Sequence, residues 1–385
     1  MGKTKIRFKG YTEDWEQRKL GELASSFEYG LNAAAKEYDG ENKYIRITDI
    51  DDNTHEFLTD NLTSPDIELT GADNYKLTEG DILFARTGAS VGKSYIYKNS
   101  DGLVYYAGFL IRARIKEEYD TEFVFQNTLT DRYNKYIAVT SQRSGQPGVN
   151  AQEYAEFEIK VPKKEEQTKI GTYFRNIDNL ITLHQRKCDE AKKLKKCMLQ
   201  KMFPKDGEKV PEIRFSGFTG DWKQRKLGEI IEVCSGRDYK HLEKGNVPVY
   251  GTGGYMLSVS KALSADKDAV GIGRKGTIDK PYILKAPFWT VDTLFYCVSK
   301  EDCDLNFIFD IFQNINWKAL DESTGVPSLS KAVINKVKVL IPSVVEQIKI
   351  GKYFSLLDNR ITFHQQKCDE LKNIKKFMLQ NMFVS

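Results

Sequence analysis

Two stretches of the chain carry apolar residues at alternating intervals of four and three, which is the a/d spacing of a coiled-coil seam. In the first stretch these seam residues are Ile170, Phe174, Ile177, Ile181, His184, Cys188 and Ala191, and in the second they are Ile350, Phe354, Leu357, Ile361, His364, Cys368 and Leu371. A proline precedes each stretch, and glutamates follow it in the first predicted turn, where the helix dipole favours an anion. The pattern predicts two helices of about 38 residues, each roughly 57 Å long. Equal seams should pack together, and we expect an antiparallel coiled coil.

Two seam positions are polar, His184 and His364. A polar residue on a seam can fix the register of the two helices. A metal ligand or a pH-sensitive group is the functional alternative. Both interpretations stay open at this point.

The chain repeats itself in order. Residues 6–23 (IRFKGYTEDWEQRKLGEL) recur at 213–230 (IRFSGFTGDWKQRKLGEI), and 13 of these 18 positions are identical. Residues 161–203 recur at 341–383, with 26 of 43 positions identical. Between these flanks lie two inserts, 24–160 and 231–340, that resemble each other little. Because uniform drift after duplication would erode flanks and inserts alike, the pattern favours a fixed scaffold that presents two different specificities.

Each insert alternates short runs of Ile, Val, Tyr and Phe with Gly, Asp and Asn turns, which is typical of mixed α/β structure. The predicted strands are 43–50, 81–86, 104–115, 269–273, 288–298 and 336–341, and the predicted helices are 123–138 and 306–320. We therefore expect an α/β (α+β) fold: two globular domains with mixed sheets, two long helices and an internal pseudo-twofold repeat. The expected domains are 1–160, 161–212 (helix and linker), 213–340 and 341–385 (helix).

Composition narrows the class of protein. The chain has 385 residues, 40% of them hydrophobic and 29% charged, and a formal net charge of +4, which is too small to identify a nucleic-acid partner. The cysteines lack metal-site spacing, so we expect reduced thiols and no metal site. No apolar run suits a signal peptide or a membrane span, which predicts a cytoplasmic protein that does not enter the membrane.

The two inserts share two short echoes. The first is a strand followed by a Gly-rich basic turn, ARTGASVGKSYIY from residue 85 and GRKGTIDKPYIL from residue 273; the second is a polar loop before the last strand, SQRSGQPGVN from 141 and DESTGVPSLS from 321. Arginine, lysine, glutamine and small hydroxyl side chains suit phosphates and base edges in the major groove. The candidate DNA contacts are Arg46, Arg86, Thr87, Ser90, Lys93, Gln142, Arg143, Gln146, Tyr250, Thr252, Arg274, Lys275, Thr277, Ser323, Thr324 and Ser328. Plain solvated surface is the alternative for each.

A nucleotide-binding loop is excluded by spacing. GASVGKS at 88–94 has three residues between its glycine and GKS, whereas the phosphate-binding loop needs four. The second insert has no GKS. We therefore expect no ATP site in this chain.

The repeated DW..RKLGE box, the EQ…KIG…F helix that ends in MLQ.MF, and the two unlike inserts together resemble the specificity (S, HsdS) subunit of type I restriction-modification systems. The resemblance covers nearly the whole chain. It implies two target recognition domains that each read half of a split sequence in double-stranded DNA, with the conserved helices as a ruler across the spacer. It also implies two methyltransferase (M) subunits, which methylate adenine N6 with S-adenosylmethionine, and two restriction (R) subunits, which use ATP and Mg²⁺.

The sequence lacks an adenine-methylation box, a dinucleotide-type glycine loop and a helicase motif pair, so catalysis is expected from the partners. One departure is that the first insert holds 23 acidic and 14 basic residues. Two other functions are the alternatives. The chain could be a self-contained DNA methyltransferase or nuclease, or a coiled-coil scaffold whose inserts bind proteins. The target bases, the spacer length and the presence of a restriction subunit do not follow from the sequence.

Overall fold

The computed structural model describes residues 4–142 and 145–384. The chain forms two compact units: the first takes in the residues up to Gln185 together with those from Gln366 onward, and the second is Arg186–Gln365. Each long helix therefore begins in one unit and ends in the other. Among the described residues, no helix is both long enough and apolar enough to cross a membrane.

The first unit contains one complete insert and parts of both long helices. Its strands are β1 (Glu16–Lys19), β2 (Ala24–Tyr29), β3 (Ala35–Glu37), β4 (Lys43–Ile45), β5 (Thr63–Pro65), β6 (Ile82–Ala85), β7 (Ser94–Ile96), β8 (Val104–Tyr106), β9 (Leu110–Ile115) and β10 (Glu158–Val161). Its helices are α1 (Leu20–Leu23), α2 (Thr121–Asn127), α3 (Asp131–Thr140), α4 (Ala151–Ala155) and the start of α5 (Lys164–Lys201).

The second unit repeats this order with the other insert. Its strands are β11 (Lys223–Lys226), β12 (Ile231–Ser235), β13 (Lys244–Gly251), β14 (Gly254–Val259), β15 (Ala269–Gly273), β16 (Tyr282–Leu284), β17 (Trp289–Thr290), β18 (Leu294–Ser299) and β19 (Lys338–Ile341). Its helices are α6 (Leu227–Ile230), α7 (Leu305–Asn314), α8 (Lys331–Lys336) and the start of α9 (Val344–Met382).

The two inserts share a sheet topology despite their unlike sequences. The central four-stranded sheet has the order β2-β9-β6-β7 in the first unit and β12-β18-β15-β16 in the second. Each unit also has a parallel strand pair, β4 with β8 and β13 with β17. The common fold is thus preserved beneath side chains that differ.

The repeated box and the start of each long helix are joined by a buried ion pair. In the first unit the Nε and Nη2 atoms of Arg7 donate to both carboxylate oxygens of Glu166, at 2.7 and 2.8 Å. Arg214 makes the same bidentate contact with Glu346 in the second unit, at the same two distances. The glutamate side chains are only 1% exposed, so each carboxylate depends on its arginine for compensation.

A glutamine next to each buried glutamate attaches the insert to the helix. The Gln167 Oε1 atom accepts the backbone N–H of Asp120 at 3.0 Å, and Gln347 accepts that of Asp304 at 3.1 Å. Both aspartates then cap the helix that follows, α2 or α7. The repeated motif therefore fixes the insert as well as the box.

Each core is closed by the far end of the long helix that began in the other unit. Phe383, which is 6% exposed, lies 5.6 Å (ring centroids) from both Phe123 and Phe174 in the first unit. Phe203 lies 5.5 Å from Phe307 in the second unit. Each compact unit therefore combines most of one sequence repeat with the end of the long helix that belongs to the other repeat.

The long helices pair antiparallel within each unit, as the seam predicts. In the first unit Lys375 pairs with Asp178 at 2.6 Å, and the Cys368 thiol contacts the Ile181 carbonyl. In the second unit Lys195 pairs with Asp358. The seam residues that lie buried are Ile170, Phe174, Ile177, Ile181, Cys188, Ala191, Ile350, Phe354, Leu357, His364 and Cys368.

Several predicted elements are interrupted in the structure. The predicted helix 123–138 is two helices, because the Thr128 hydroxyl bonds the Phe125 carbonyl and Thr130 caps α3. The predicted helix 306–320 likewise ends at Asn314 and resumes as a short 3₁₀ turn, Trp317–Leu320. The predicted strands 104–115 and 288–298 are each divided by a turn, where the N–H of Leu110 or Leu294 bonds the carbonyl three residues earlier.

Two strand boundaries also differ. The predicted strand 43–50 ends at Ile45, because the Asp49 carboxylate bonds the Arg46 N–H and starts a 3₁₀ turn. The predicted strand 336–341 starts at Lys338, since Lys336 ends the Ser330-capped helix α8.

We expect Phe383→Ala to destabilise the first unit by about 3–5 kcal/mol, because the substitution leaves a cavity between two aromatic rings. Limited proteolysis with mass spectrometry should then show cleavage first in the insert of the first unit. Phe203→Ala is the matched variant and should direct early cleavage to residues 231–340. Equal loss of protection in both units in either variant would contradict this assignment of the helix ends.

Asp310 gives a pH-dependent stability. Its Oδ2 atom is buried without a hydrogen-bond partner among the described residues, and burial raises its pKa well above the usual value; Lys195 opposes this shift, while Asp358 and Asp304 add to it. Because the pKa of Asp310 is higher in the folded than in the unfolded protein, its contribution to the free energy of unfolding is fully present at low pH. That contribution is lost as the pH rises through the folded-state pKa. Asp310→Asn should therefore raise the unfolding temperature at pH 8 more than at pH 5.

The first unit supplies the control for this prediction. Gln126 occupies the equivalent helix position and donates to Asp178 at 2.9 Å. Gln126→Glu should introduce the pH dependence that Asp310→Asn removes. Parallel unfolding curves for the wild type and Asp310→Asn across this pH range would disprove the assignment.

Candidate nucleic-acid interface

The structure joins the two sequence echoes of the first insert. The turn after β6 and the loop before α4 form a bridge between Thr87 and Gly148. The Gly88 N–H donates to the Pro147 carbonyl at 3.0 Å, and the Val149 N–H donates to the Arg86 carbonyl at 2.9 Å. We call these segments, 86–93 together with 141–142 and 145–150, the first turn-loop surface.

The second unit builds the same arrangement from its own two echoes. Lys275 bridges Ser328, the Gly276 N–H donates to the Pro327 carbonyl at 2.8 Å, and the Leu329 N–H donates to the Arg274 carbonyl at 2.9 Å. Segments 274–280 and 321–330 are the second turn-loop surface. Candidate residues far apart in sequence are thus brought together twice by one hydrogen-bond pattern.

Left-handed glycines and helix caps set the shape of both surfaces. Gly88 and Gly276 have φ values of +78° and +92°, which favour glycine at the turn. Each loop then ends at a helix cap, where Asn150 accepts the Glu153 N–H and Ser330 accepts the Val333 N–H. Each surface therefore combines a glycine turn with a loop that ends at a helix cap.

Arg86 and Arg274 hold equivalent positions at the end of the strand that precedes each turn. The Arg86 guanidinium lies 5.0 Å from the Tyr29 ring centroid, and that of Arg274 lies 5.8 Å from the Phe295 ring centroid. Within residues 4–142 and 145–384, neither guanidinium forms a salt bridge. The Arg274 Nη1 atom donates to the Asp292 carbonyl at 3.4 Å, and neither arginine is paired with a carboxylate among these residues. Both guanidiniums can therefore offer donors to an external anion or base edge.

Two other basic candidates are bonded within the first unit. Arg46 makes a bidentate ion pair with Asp49, both contacts at 2.8 Å. The Lys93 ammonium donates to the Ile50 carbonyl at 2.9 Å and pairs with Asp52 at 2.5 Å. These contacts leave both side chains less free than Arg86.

The Asp321 carboxylate orders the loop of the second surface. Its Oδ1 atom accepts the backbone N–H groups of Ser323 at 3.0 Å and Ser328 at 2.9 Å, and the Ser323 hydroxyl at 2.8 Å. The backbone N–H of Ser328, then that of Ser323, lowers the pKa of Asp321. Ser323 therefore helps to shape the loop, while Thr324 at its tip is exposed.

The remaining candidates lie close to these segments. Tyr250 is linked to the second surface through residues 291–293. Its carbonyl accepts the Val291 N–H at 3.0 Å, and Arg274 donates to the carbonyls of the next two residues, Asp292 and Thr293. Thr252 lies in the β13–β14 turn. Lys275, Thr277, Gln142 and Gln146 are exposed, and Ser90 and Thr87 are half-buried. Arg143 lies outside the described residues.

Sequence reasoning missed two residues beside Arg86. Phe109 is 62% exposed and accepts the Arg86 N–H through its carbonyl at 3.1 Å, and Tyr29 is 43% exposed. Phe109 was hidden in a predicted continuous strand. Tyr29 precedes a glycine soon after the repeated box, as Ser235 does in the second copy, and this alignment was the available signal.

Acidic and thiol side chains do not cluster as metal ligands in the part of the chain that the structure describes: no group of three or more His, Cys, Asp or Glu residues has suitable geometry there.

Comparisons with known proteins identify relatives of the whole chain. The chain is 21% identical to the type I restriction enzyme MjaVIII specificity subunit of Methanocaldococcus jannaschii over 94% of this chain and 91% of that protein. It is 23% identical to the putative MjaX specificity subunit of the same organism, with the same coverage. The S subunit structure of a type I restriction-modification system from M. genitalium has the same fold, with a TM-score of 0.77, 17% identity and 99% coverage of both chains.

The model of the type I restriction modification DNA specificity domain matches residues 12–193 and again residues 219–373. These matches include both turn-loop surfaces and most of both long helices. The chain therefore belongs to the type I restriction-modification DNA specificity family, and it is a DNA-recognition subunit.

Proposed function

We propose that this chain reads a bipartite target in double-stranded DNA, one half-site with each turn-loop surface. The observation that carries the proposal is the recurrence of one hydrogen-bonded turn and loop in both inserts, each with an arginine that forms no salt bridge among the described residues. A scaffold whose inserts bound unrelated proteins would have no need to keep this arrangement in both copies.

Arginine suits this role for a geometric reason. Its planar guanidinium can donate two parallel hydrogen bonds to the O6 and N7 atoms of guanine, or to a phosphate. The aromatic ring beneath Arg86 or Arg274 limits the orientations of the guanidinium. A restricted side chain loses less freedom when it binds, which favours a specific contact.

The acidic balance of the first insert fits this proposal. Several of its basic residues are bonded to acidic ones: Arg112 to Glu28, Arg114 to Asp81, and Lys98 to Glu56. These acidic residues are thus paired with basic ones inside the unit, and Arg86 belongs to none of these pairs. The DNA contact then depends on a few placed charges rather than on net charge.

The rest of the proposed function concerns partners. We infer that two methyltransferase subunits and two restriction subunits assemble with this chain in the cytoplasm, and that catalysis belongs to them. S-adenosylmethionine would bind the methyltransferase subunits, and ATP and Mg²⁺ the restriction subunits. The relatives named as specificity subunits support this division of labour.

Arg86→Ala should weaken binding by the chain with its methyltransferase partner at least about fivefold and relax only the first half-site, because one good bidentate contact contributes about 1–3 kcal/mol of discrimination. Arg274→Ala should affect only the second half-site. Selection from randomised DNA measures both effects. Arg18→Ala, which removes an exposed arginine already paired with Glu16, is the control and should change neither half. Relaxation of both half-sites by one variant would argue against separate readers.

Exchange of residues 24–160 for the insert of a relative should change one half of the methylated motif and leave the other intact. The donor insert must keep an aspartate at position 120, because that residue bonds Gln167 and caps α2. Genome-wide mapping of N6-methyladenine in cells that express the chain with its methyltransferase subunit gives the result. A change in both halves would refute modular recognition.

A further inference from the structure

The two turn-loop surfaces can be matched residue by residue through their hydrogen bonds. The Arg86 N–H donates to the Phe109 carbonyl at 3.1 Å, and the Arg274 N–H donates to the Thr293 carbonyl at 2.8 Å. Phe109 and Thr293 each directly precede the strand, β9 or β18, that pairs with the arginine-bearing strand. They therefore occupy equivalent positions, although sequence comparison alone does not align them.

A second pair of equivalent positions lies on the neighbouring strand. A Cβ atom on Gly30 or Gly236 would lie 2.2 or 1.9 Å from a backbone carbonyl oxygen, so only glycine fits at either position. Tyr29 and Ser235 directly precede these glycines. β2 has one more residue than β12 because of a bulge near Ser26, which hides the correspondence in the sequence.

The side chains at these positions differ in chemistry while the arginine stays the same. In the first unit Arg86 is flanked by an exposed phenylalanine and a half-exposed tyrosine. In the second unit the equivalent neighbours of Arg274 are the small hydroxyl residues Thr293 and Ser235, both half-buried. At these two matched positions the side chains are therefore aromatic in the first unit and small and polar in the second.

Tyr29 has structural contacts that Phe109 lacks. Its ring lies under the Arg86 guanidinium, and its hydroxyl accepts the Ala151 N–H at 3.2 Å. Tyr29 is therefore a positioning residue. The Phe109 ring makes no aromatic or cation–π contact within the described residues and is 62% exposed, which leaves its face open to a ligand.

We propose that Phe109 and Thr293 are specificity-determining residues that select the base pair next to the contact made by Arg86 or Arg274. The inference rests on the proposed function and adds the residues that select an individual base pair. An exposed phenyl ring contacts the C5-methyl group of thymine, so Phe109 favours an A·T pair. Threonine offers a hydroxyl and a methyl group, so Thr293 accepts a polar base edge that the ring would desolvate.

Reciprocal substitution tests the proposal. The variants Phe109→Thr and Thr293→Phe are each combined with the methyltransferase partner, and binding sites are selected from randomised DNA. We expect Phe109→Thr to reduce the preference at one position of the first half-site at least about fivefold, the scale of a single base contact. Thr293→Phe should shift one position of the second half-site toward A·T. The remaining positions of the motif should be kept.

The controls separate failure of this inference from failure of the proposed function. Ile67→Thr removes an exposed apolar side chain outside both surfaces and should leave the motif unchanged. If the wild type selects no motif, the proposed function fails. If the wild type selects one and both exchanged variants keep it at every position, only this inference is overturned.

Thermal unfolding of each variant covers the remaining outcome. A variant that unfolds at the wild-type temperature but loses its whole half-site would make the position one of affinity rather than selectivity, which also overturns the proposal. For a variant that unfolds early, Phe109→Leu and Thr293→Val provide smaller changes. These two should retain folding and still alter preference at the same single position, and an unchanged motif in both would count against the proposal.

Discussion

The buried ion pair between the repeated box and the start of each long helix is the contact on which each unit depends. Glu166 and Glu346 are removed from water, and each is compensated by one bidentate arginine, Arg7 or Arg214. Removing one partner of such a pair costs about 3–5 kcal/mol, because a charge stays buried alone. The adjacent glutamine accepts the N–H of the aspartate that caps the first helix after the central sheet of the insert. Box, helix and insert therefore keep one geometry while the surface of the insert changes.

This arrangement explains how the two inserts could diverge and still fold alike. Gly171 and Gly351 pack so closely on the helix caps that an added Cβ atom would lie 2.4 and 2.5 Å from the aspartate oxygens. Such close approach permits no side chain and ties the cap to the long helix. The turn-loop surfaces lie at the other end of the strands, where backbone hydrogen bonds define the shape and side chains are free to vary.

The scaffold was predictable from sequence because its signals are local or repeated. Heptad spacing predicted both long helices, and the prolines marked their starts correctly. The coming together of residues 86 and 148 was not predictable, since it depends on tertiary hydrogen bonds between segments about sixty residues apart. Phe109 was missed for a related reason: a strong β-forming run concealed the turn that exposes it. The breaks at Thr128 and Asn314 likewise reflect tertiary packing and local side-chain bonds rather than propensity.

The positions of the residues that close each core determine the order in which the two cores can be completed during synthesis. The second unit receives Met202 and Phe203 before most of its own insert exists, so its core can assemble as soon as residue 357 and its neighbours are available. The first unit needs Met382 and Phe383, which leave the ribosome after every residue of the second unit. The insert that emerges first is therefore the last to be sealed, and its apolar core waits longest for its final two side chains.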